Sequence, residues 1–330
     1  MAKTTGSKPV ITLPDGGERE IKRRGPASIL EQKKTVRLAS RLGVEALVVE
    51  LMSVQRECLS VESNRLLKPH LLVITNVRLD HLDLMGCTKS EIAGVLASAI
   101  RRNCAVFVPE EESYREFSER AGKVDANFIP VAKRPEESNF EFPENLRLAM
   151  AVSESVGLKK ELALHGMRSA RPDSGSLRLW GASFGTPPRN FILANAFAAN
   201  DPESSLAVLA RIKTRVPWKA KEMIGLFNLR EDRGDRSLQW LRALQAEPWS
   251  GFDEIIFAGY YPHALNLKRR LGGRTKARVR ALPERNPEAL MARIVPEPGK
   301  DVLVLGLGNM QGLGQAVVEY WDKVGIPYGY

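Results

Sequence analysis

Residues Leu71 to Asp83, LLVITNVRLDHLD, pass from an unbroken apolar stretch straight into an Asn, two Asp and a His. Leu71, Leu72, Val73 and Ile74 have the composition of a buried parallel strand, and in open α/β sheets ligands gather just beyond the carboxyl ends of such strands. Asn76, Asp80, His81 and Asp83 therefore stand where chemistry is usually done. A second apolar run, Ala46-Leu47-Val48-Val49, ends in Glu50 in the same way. A carboxylate and an imidazole delivered by two strand tips suit a Mg²⁺ ion held against phosphate.

The elements that must position these groups can be read from the periodicity. Lys8 to Arg24 predicts a β-hairpin, with ITLP and REIKRR on either side of the turn Asp15-Gly16-Gly17. A helix over 29–42 follows and is stopped by Gly43. The pattern then alternates: strand 46–50, helix 59–67, strand 71–75, helix 88–103 and strand 105–108. Thr88, with Glu91 three residues on, is the capping signal of the third of these helices. Such alternation predicts a parallel sheet. Another helix is expected over 145–156, and RSARPDSGSLRLW reads as turn and strand. From Asn190 a second alternating series begins, with strands FILANAF, MIGLFN, EIIFAG and DVLVLG and helices 202–215, 235–246, 263–271 and 313–324. It predicts a smaller, doubly wound, Rossmann-like domain. Pro172, Gly175, Gly181, Gly185, Pro187 and Pro188 cluster between the two series, giving domains 1–180 and 181–330.

With 330 residues and 43% hydrophobic content the chain can bury a large core and favours two domains. It has no apolar run long enough to span a bilayer, and MAKTTGSKP lacks the apolar segment of a secretory signal, so a soluble chain is expected. Cys58, Cys87 and Cys104 show no C-x-x-C spacing, which argues against a disulfide framework or a zinc site and for a reduced cytoplasm. No base stands at a readable spacing from any of them, so a cysteine nucleophile is not indicated. The net charge of +10 points toward an anionic partner. The densest basic block is Lys268, Arg269, Arg270, Arg274, Lys276, Arg278 and Arg280. It has no interleaved aromatic residues for base stacking, so nucleic acid is disfavoured, and it reads as a solvated helix end and loop. Gly306-Leu307-Gly308 followed by Gly312 departs from the dinucleotide spacing and reads as a tight strand-to-helix turn. His70, His165 and His263 have no matching partner and read as structural or exposed.

The strand ending in Glu50, the string Thr75, Asn76, Asp80, His81, Asp83, and the helix start Glu144-Asn145-Leu146-Arg147-Leu148-Ala149 together resemble the central ATPase domain of Mur-type amide ligases. Longer segments resemble one branch, the PgsB/CapB ligase subunits of bacterial poly-γ-glutamate synthase. They are AKTTGSKPVITLPDGGEREIKRRGPASILEQ, ALVVELMSVQ, ITNVRLDHLDLMG, ANAFAANDPESS, FNLREDRGDRS and GLGNMQG, in consistent order from Ala2 to about Gly312. The resemblance implies an α/β chain with a Mur ligase-like central domain of P-loop type and a Rossmann-like C-terminal domain. It implies ATP and Mg²⁺ as cofactors and glutamate and poly-γ-glutamate as substrates. Membrane subunits would hold the ligase at the inner face of the cell membrane, and a homo-oligomer is left open. By resemblance Glu50 and His81 hold the metal, with Asp80 and Asp83 orienting the His. Thr4, Thr5 and Gly6 form the turn beside the phosphates, Asn76 reaches the acyl phosphate and Asn145 lies on the adenine side. Asn200, Asp201, Arg230, Arg233 and Arg236 close over ATP and the incoming substrate.

One part of the family pattern is missing. No G-x₄-G-K-[ST] occurs in the chain, whereas the family carries a Gly-rich Lys-Ser phosphate loop a strand and helix upstream of the segment matching Lys3-Thr4-Thr5-Gly6. The central domain is thus expected to be N-terminally truncated by about 30 residues or more, the size of a βα unit. The family activity, acid–amino-acid ligation, is expected to be silent in this chain alone for want of the loop. The alternatives are a catalytically silent scaffold that binds polyanions and another Mur-like amino-acid ligase. An exposed edge or open groove is expected at the first strand.

Overall fold

Apolar runs bounded by Gly and polar residues form the strands, though the hydrogen-bonded cores are shorter than the runs, as Leu71–Val73 shows within LLVIT. The computed structural model describes residues 1–5, 9–23, 25, 27–133, 143–170, 175–217, 222–246, 249, 251–294 and 301–328. The chain divides into two units, Met1–Arg171 and Pro172–Tyr330. The division falls before the 180/181 boundary read from the Gly and Pro cluster, because Leu179–Phe184 is one continuous strand paired within the second unit.

The first unit runs β1 (Ala2–Lys3), β2 (Val10–Thr12), β3 (Glu18–Glu20), α1 (Leu30–Arg41), β4 (Val48–Val49) and α2 (Arg56–Val61), which continues as a π-helical turn, Glu62–Leu67. Then come β5 (Leu71–Val73), α3 (Leu82–Met85), α4 (Lys89–Leu96), β6 (Ala105–Pro109), α5 (Arg115–Val124), β7 (Asn127–Val131), α6 (Pro143–Ser155) and α7 (Lys160–Ser169). The hairpin is present, with Thr12 opposite Glu18 across the Asp15-Gly16-Gly17 turn. The capping box at Thr88 is complete, because Glu91 N–H donates to Thr88 Oγ1 and the Glu91 carboxylate accepts from Thr88 N–H at 2.9 Å.

The expected single parallel sheet is two sheets, β3-β2-β1-β4 and β5-β6-β7. Within them β1–β4, β5–β6 and β6–β7 are parallel. The first strand is not an edge, since β2 and β4 flank it. Among the described residues, the edge of β4 away from β1 and that of β5 away from β6 have no partner strand. Val48 and Val73 are accordingly exposed. The core beneath β5 and β6 is Leu72, Ile74, Val106 and Val108 against Ile92, Phe117 and Ala121 of α4 and α5.

The second unit runs β8 (Leu179–Phe184), β9 (Arg189–Asn195), α8 (Pro202–Arg215), β10 (Glu222–Leu229), α9 (Gly234–Ala243), β11 (Glu254–Gly259), α10 (Tyr261–Leu271), β12 (Arg278–Ala281), α11 (Pro287–Ile294), β13 (Val302–Gly308), α12 (Leu313–Val324) and β14 (Ile326–Pro327). Its seven-stranded sheet has the order β12-β11-β10-β13-β9-β8-β14. From β12 to β9 the strands are parallel, and β8 is antiparallel to both of its neighbours. This is the doubly wound arrangement expected of the second series. The chain winds outward through β10, β11 and β12 and returns as β13 on the other side of β10. The strand order therefore reverses between β10 and β13, and clefts form at the carboxyl ends of strands where that happens.

Candidate functional site

Parallel pairing of β1 with β4 sets Lys3 beside Val49, and Glu50 N–H donates to Lys3 O at 2.9 Å. The next residues of both strands therefore emerge together, and Thr5 N–H donates to the exposed Glu50 carboxylate. The Thr4-Thr5 turn and the strand-end acid, singled out separately from the sequence, lie against one another. Gly6, the third member of that turn, falls outside the described residues.

A buried polar layer underlies Glu50. Gln32 of α1 donates through Nε2 to Glu50 O at 3.0 Å and to Glu62 Oε1 at 2.6 Å. The Glu62 carboxylate also accepts from Met52 N–H at 3.1 Å and Ser53 N–H at 2.9 Å. Gln32 and Glu62 are both fully buried. Lys3 is buried as well, with its Nζ 3.9 Å from Glu31, which is itself forked by Arg23 at 2.8 and 3.0 Å. Burial pushes the Lys3 ammonium below its usual range, against the opposing pull of Glu31, and the Arg23 hydrogen bond holds Glu31 below the usual carboxylate range. None of Lys3, Glu31, Gln32 or Glu62 was singled out from the sequence. The available signal was positional: Gln32, Thr35 and Ala39 share the buried stripe of α1, where a Gln needs a partner.

The second strand-tip cluster forms on the loop after β5. His81 takes a left-handed backbone, φ 52°, a conformation that costs a non-glycine residue energy and that collects at functional sites. Asp80 Oδ1 accepts from His81 N–H at 2.9 Å, and Asp80 Oδ2 lies 3.7 Å from His81 Nε2. Asp80 thus touches the His as expected. Asp83 is exposed on the first turn of α3 and makes no hydrogen bond among the described residues. Asn76 is exposed at the start of the loop. Glu112, unremarked in the sequence, pins this loop by accepting from Val77 N–H at 3.2 Å and from Arg78 Nη1 at 2.6 Å. Among the described residues no group of three or more His, Cys, Asp or Glu side chains is placed to hold a metal.

Asn145 is exposed on the first turn of α6, while Arg147 is buried there between Leu146 and Leu148. Arg147 forks Glu111 at 2.9 and 2.5 Å and holds that carboxyl below its usual range.

In the second unit a pocket of about 420 Å³ opens where the strand order reverses. Asn228 near the end of β10, Arg230 just after it, Tyr260 after β11, Arg285, and Gln311 and Gly312 before α12 line it. Arg230 is forked by Asp232 and donates to Gln311 Oε1, and the pairing holds Asp232 below the usual carboxylate range. Arg233 pairs with Asp235 at 3.2 Å. Arg236 is buried and donates to Asn309 Oδ1, while Asn309 Nδ2 donates to Asn228 O at 3.0 Å. Each of the three arginines thus has partners of its own. Gly308, φ 96°, packs so closely on Asn228 that a Cβ would strike its carbonyl oxygen, which supports the tight-turn reading of this stretch.

Asn200 and Asp201 lead into α8. Asp201 is its N-cap, Oδ1 accepting from Ser204 N–H at 2.9 Å ahead of Pro202. Asp201→Ala is expected to cost about 1 kcal/mol, and Asp201→Asn, which caps equally well, close to nothing. Urea unfolding of the two variants checks this, and equal losses would mean the carboxylate charge matters for another reason.

Two units of this topology define a class of protein. Among solved structures the chain matches a folylpolyglutamate synthase from Mycobacterium tuberculosis, complexed with ADP and AMPPCP, at TM-score 0.66 and 14% identity, over 88% of this chain and 72% of that one. It matches MurF from Acinetobacter baumannii at TM-score 0.60 and 15% identity, over 84% of this chain and 66% of the MurF chain, just under two thirds of its length. The fold is therefore that of the Mur-type ligases. The model of the poly-gamma-glutamate synthase CapB C-terminal domain matches residues 183–324. The capsule biosynthesis protein CapB of Bacillus anthracis is 31% identical over 329 residues, 97% of this chain and 69% of that protein. The chain belongs to the CapB family.

Proposed function

We propose that this chain carries the ATP- and Mg²⁺-dependent amide ligase activity of poly-γ-glutamate synthesis. A γ-carboxylate of the growing chain is activated as an acyl phosphate, and the amine of an incoming glutamate attacks it. The contact between Thr5 N–H and the Glu50 carboxylate carries this reading, because it sets a strand-end acid and a Thr-Thr turn side by side. Such a pair suits a cation bridged to phosphate.

Glu50 and His81 would hold the Mg²⁺, which when bound neutralises charge on the transferred phosphoryl group. An exposed carboxylate and an imidazole steadied by Asp80 fit a cation that takes its remaining ligands from phosphates and water. The Thr4-Thr5-Gly6 turn would lie against the phosphates, Asn76 would donate its amide to the acyl phosphate, and Asn145 would face the adenine. Arg230, Arg233 and Arg236, with Asn200 and Asp201, would meet ATP and the incoming glutamate. No described helix is long and apolar enough to cross a membrane, and attachment at the membrane is assigned to partner subunits. Because the 330 residues contain no G-x₄-G-K-[ST], they lack the backbone cradle and Lys that such a loop supplies, and alone they should bind ATP weakly.

That same absence favours a second reading, a catalytically silent scaffold that keeps the fold and binds the polyanion. The deciding experiment is ADP release by the chain supplied with an N-terminal Gly-rich Lys-Ser phosphate loop. Release that needs glutamate and a poly-γ-glutamate primer together supports the ligase. Release driven by another amino acid points to a different Mur-like ligase, and no release with polymer still bound leaves the scaffold.

A further inference from the structure

Between Glu254 and Glu284 there is no acidic residue, and seven Lys and Arg residues fall between positions 268 and 280. The structure sorts these cations into two groups. Arg278 and Arg280 of β12 are engaged by Glu254, at 3.6 and 3.3 Å. Lys268, Arg269, Arg270, Arg274 and Lys276 are all exposed and form no ion pair among the described residues. Leu267 and Leu271 anchor the last turn of α10 in the core, so the three residues between them project outward together. The turn continues the same surface: Arg274 N–H donates to Leu271 O at 2.9 Å, folding Arg274 and Lys276 back beside the helix end.

Attraction to the carbonyl end of α10 accounts for cations in its last turn. It does not account for Arg274 and Lys276, which lie beyond the helix, nor for the lack of any acidic residue from 255 to 283. We propose that the end of α10 and the turn after it form a docking surface for the poly-γ-glutamate chain, separate from the pocket beside Tyr260. At about 1.5 Å per residue, the 11 residues of α10 carry this surface on the order of 15 Å from the pocket wall. A flexible polycarboxylate with one charge per residue complements a row of unpaired cations, and the missing aromatic residues give bases nothing to stack on. The occupant's identity rests on the ligase reading, whereas the surface itself does not.

The test is fluorescence anisotropy of labelled poly-γ-glutamate with the whole chain. The variants are a triple, Lys268→Ser, Arg269→Ser, Arg270→Ser, and a charge-matched control, Lys33→Ser, Lys34→Ser, Arg37→Ser, on the exposed face of α1. The first triple should weaken binding about tenfold and flatten its salt dependence, three exposed pairs each contributing about two- to threefold. The control should stay near wild type. Arg274→Ser with Lys276→Ser gives an independent loss if the helix triple folds poorly. Equal loss in the triple and the control would reduce the effect to net charge and overturn the proposal. So would absence of polymer binding, or patch-dependent binding of phosphatidylglycerol vesicles or duplex DNA with the polymer indifferent. Glutamate-dependent ADP release, measured separately, tells failure of this surface from failure of the ligase reading.

Discussion

Glu62→Ala is expected to destabilise the first unit by about 3 kcal/mol, whereas Glu62→Gln should cost only about 1 kcal/mol. Glu62 is fully buried, and its two carboxylate oxygens accept from Gln32 Nε2, Met52 N–H and Ser53 N–H. Alanine removes the acceptor from all three donors and leaves a void at the join of α2 with the π-helical turn. Glutamine keeps one oxygen at the same reach. Urea denaturation with a near-ultraviolet or fluorescence readout measures both variants. A loss for the alanine variant below about 1 kcal/mol would mean that residues 50–53 re-solvate freely.

The expected gap between the variants also tests how Glu50 is held. The Glu50 carboxylate is on the surface, but its carbonyl is tied to Gln32, and Met52 and Ser53 just beyond it are tied through Glu62. If Glu50 serves the metal as proposed, it needs support that locks its geometry, and here the support is polar and buried. A π-helical turn, uncommon and concentrated at functional sites, is what places Glu62 under this strand exit.

Much of this architecture was legible because periodicity and capping are local. The Thr88 capping box, the Asp15-Gly16-Gly17 hairpin and the helices 202–215 and 313–324 each follow from residues a few positions apart. The ends of β4 and β5 at Glu50 and before His81 were legible because polar residues break off apolar runs. The buried layer was not, because Lys3, Gln32 and Glu62 are joined only when β1, α1 and the π-helical turn pack. α5 and β7 went unread, since EFSERAGKV and NFIPV are short and mixed and gain their form from packing on β6. The division of the first sheet was also not local information. It depends on which strand edges meet, and no residue pattern within β4 or β5 encodes that.

The arginines of the second unit show the same limit. Arg230, Arg233 and Arg236 stand out in the sequence as a basic cluster, but Asp232, Asp235 and Asn309 already engage them. The partners two residues away were readable, and the one across the sheet was not. Paired arginines can still meet an anion, since each fork leaves further N–H donors.

The largest effect on activity is expected at the two strand tips. Residues 1–330 alone should hydrolyse ATP at no more than background, because they contain no G-x₄-G-K-[ST] to supply the N–H cradle and Lys of a phosphate loop. Adding a strand, Gly-rich Lys-Ser loop and helix at the N-terminus should bring measurable nucleotide binding. In that context Glu50→Ala or His81→Ala should lower turnover by about 100-fold or more, since loss of even an outer-shell partner costs a metal site 10- to 100-fold. Asp80→Asn should cost less, because it keeps an acceptor for His81 N–H while removing the charge beside Nε2. The two alanine variants should also need more Mg²⁺ for half-maximal rate, a shift that a purely structural defect would not produce. Full turnover with Glu50→Ala would remove the metal assignment, and brisk ATP-dependent glutamate ligation by residues 1–330 alone would show that the phosphates are held in some other way.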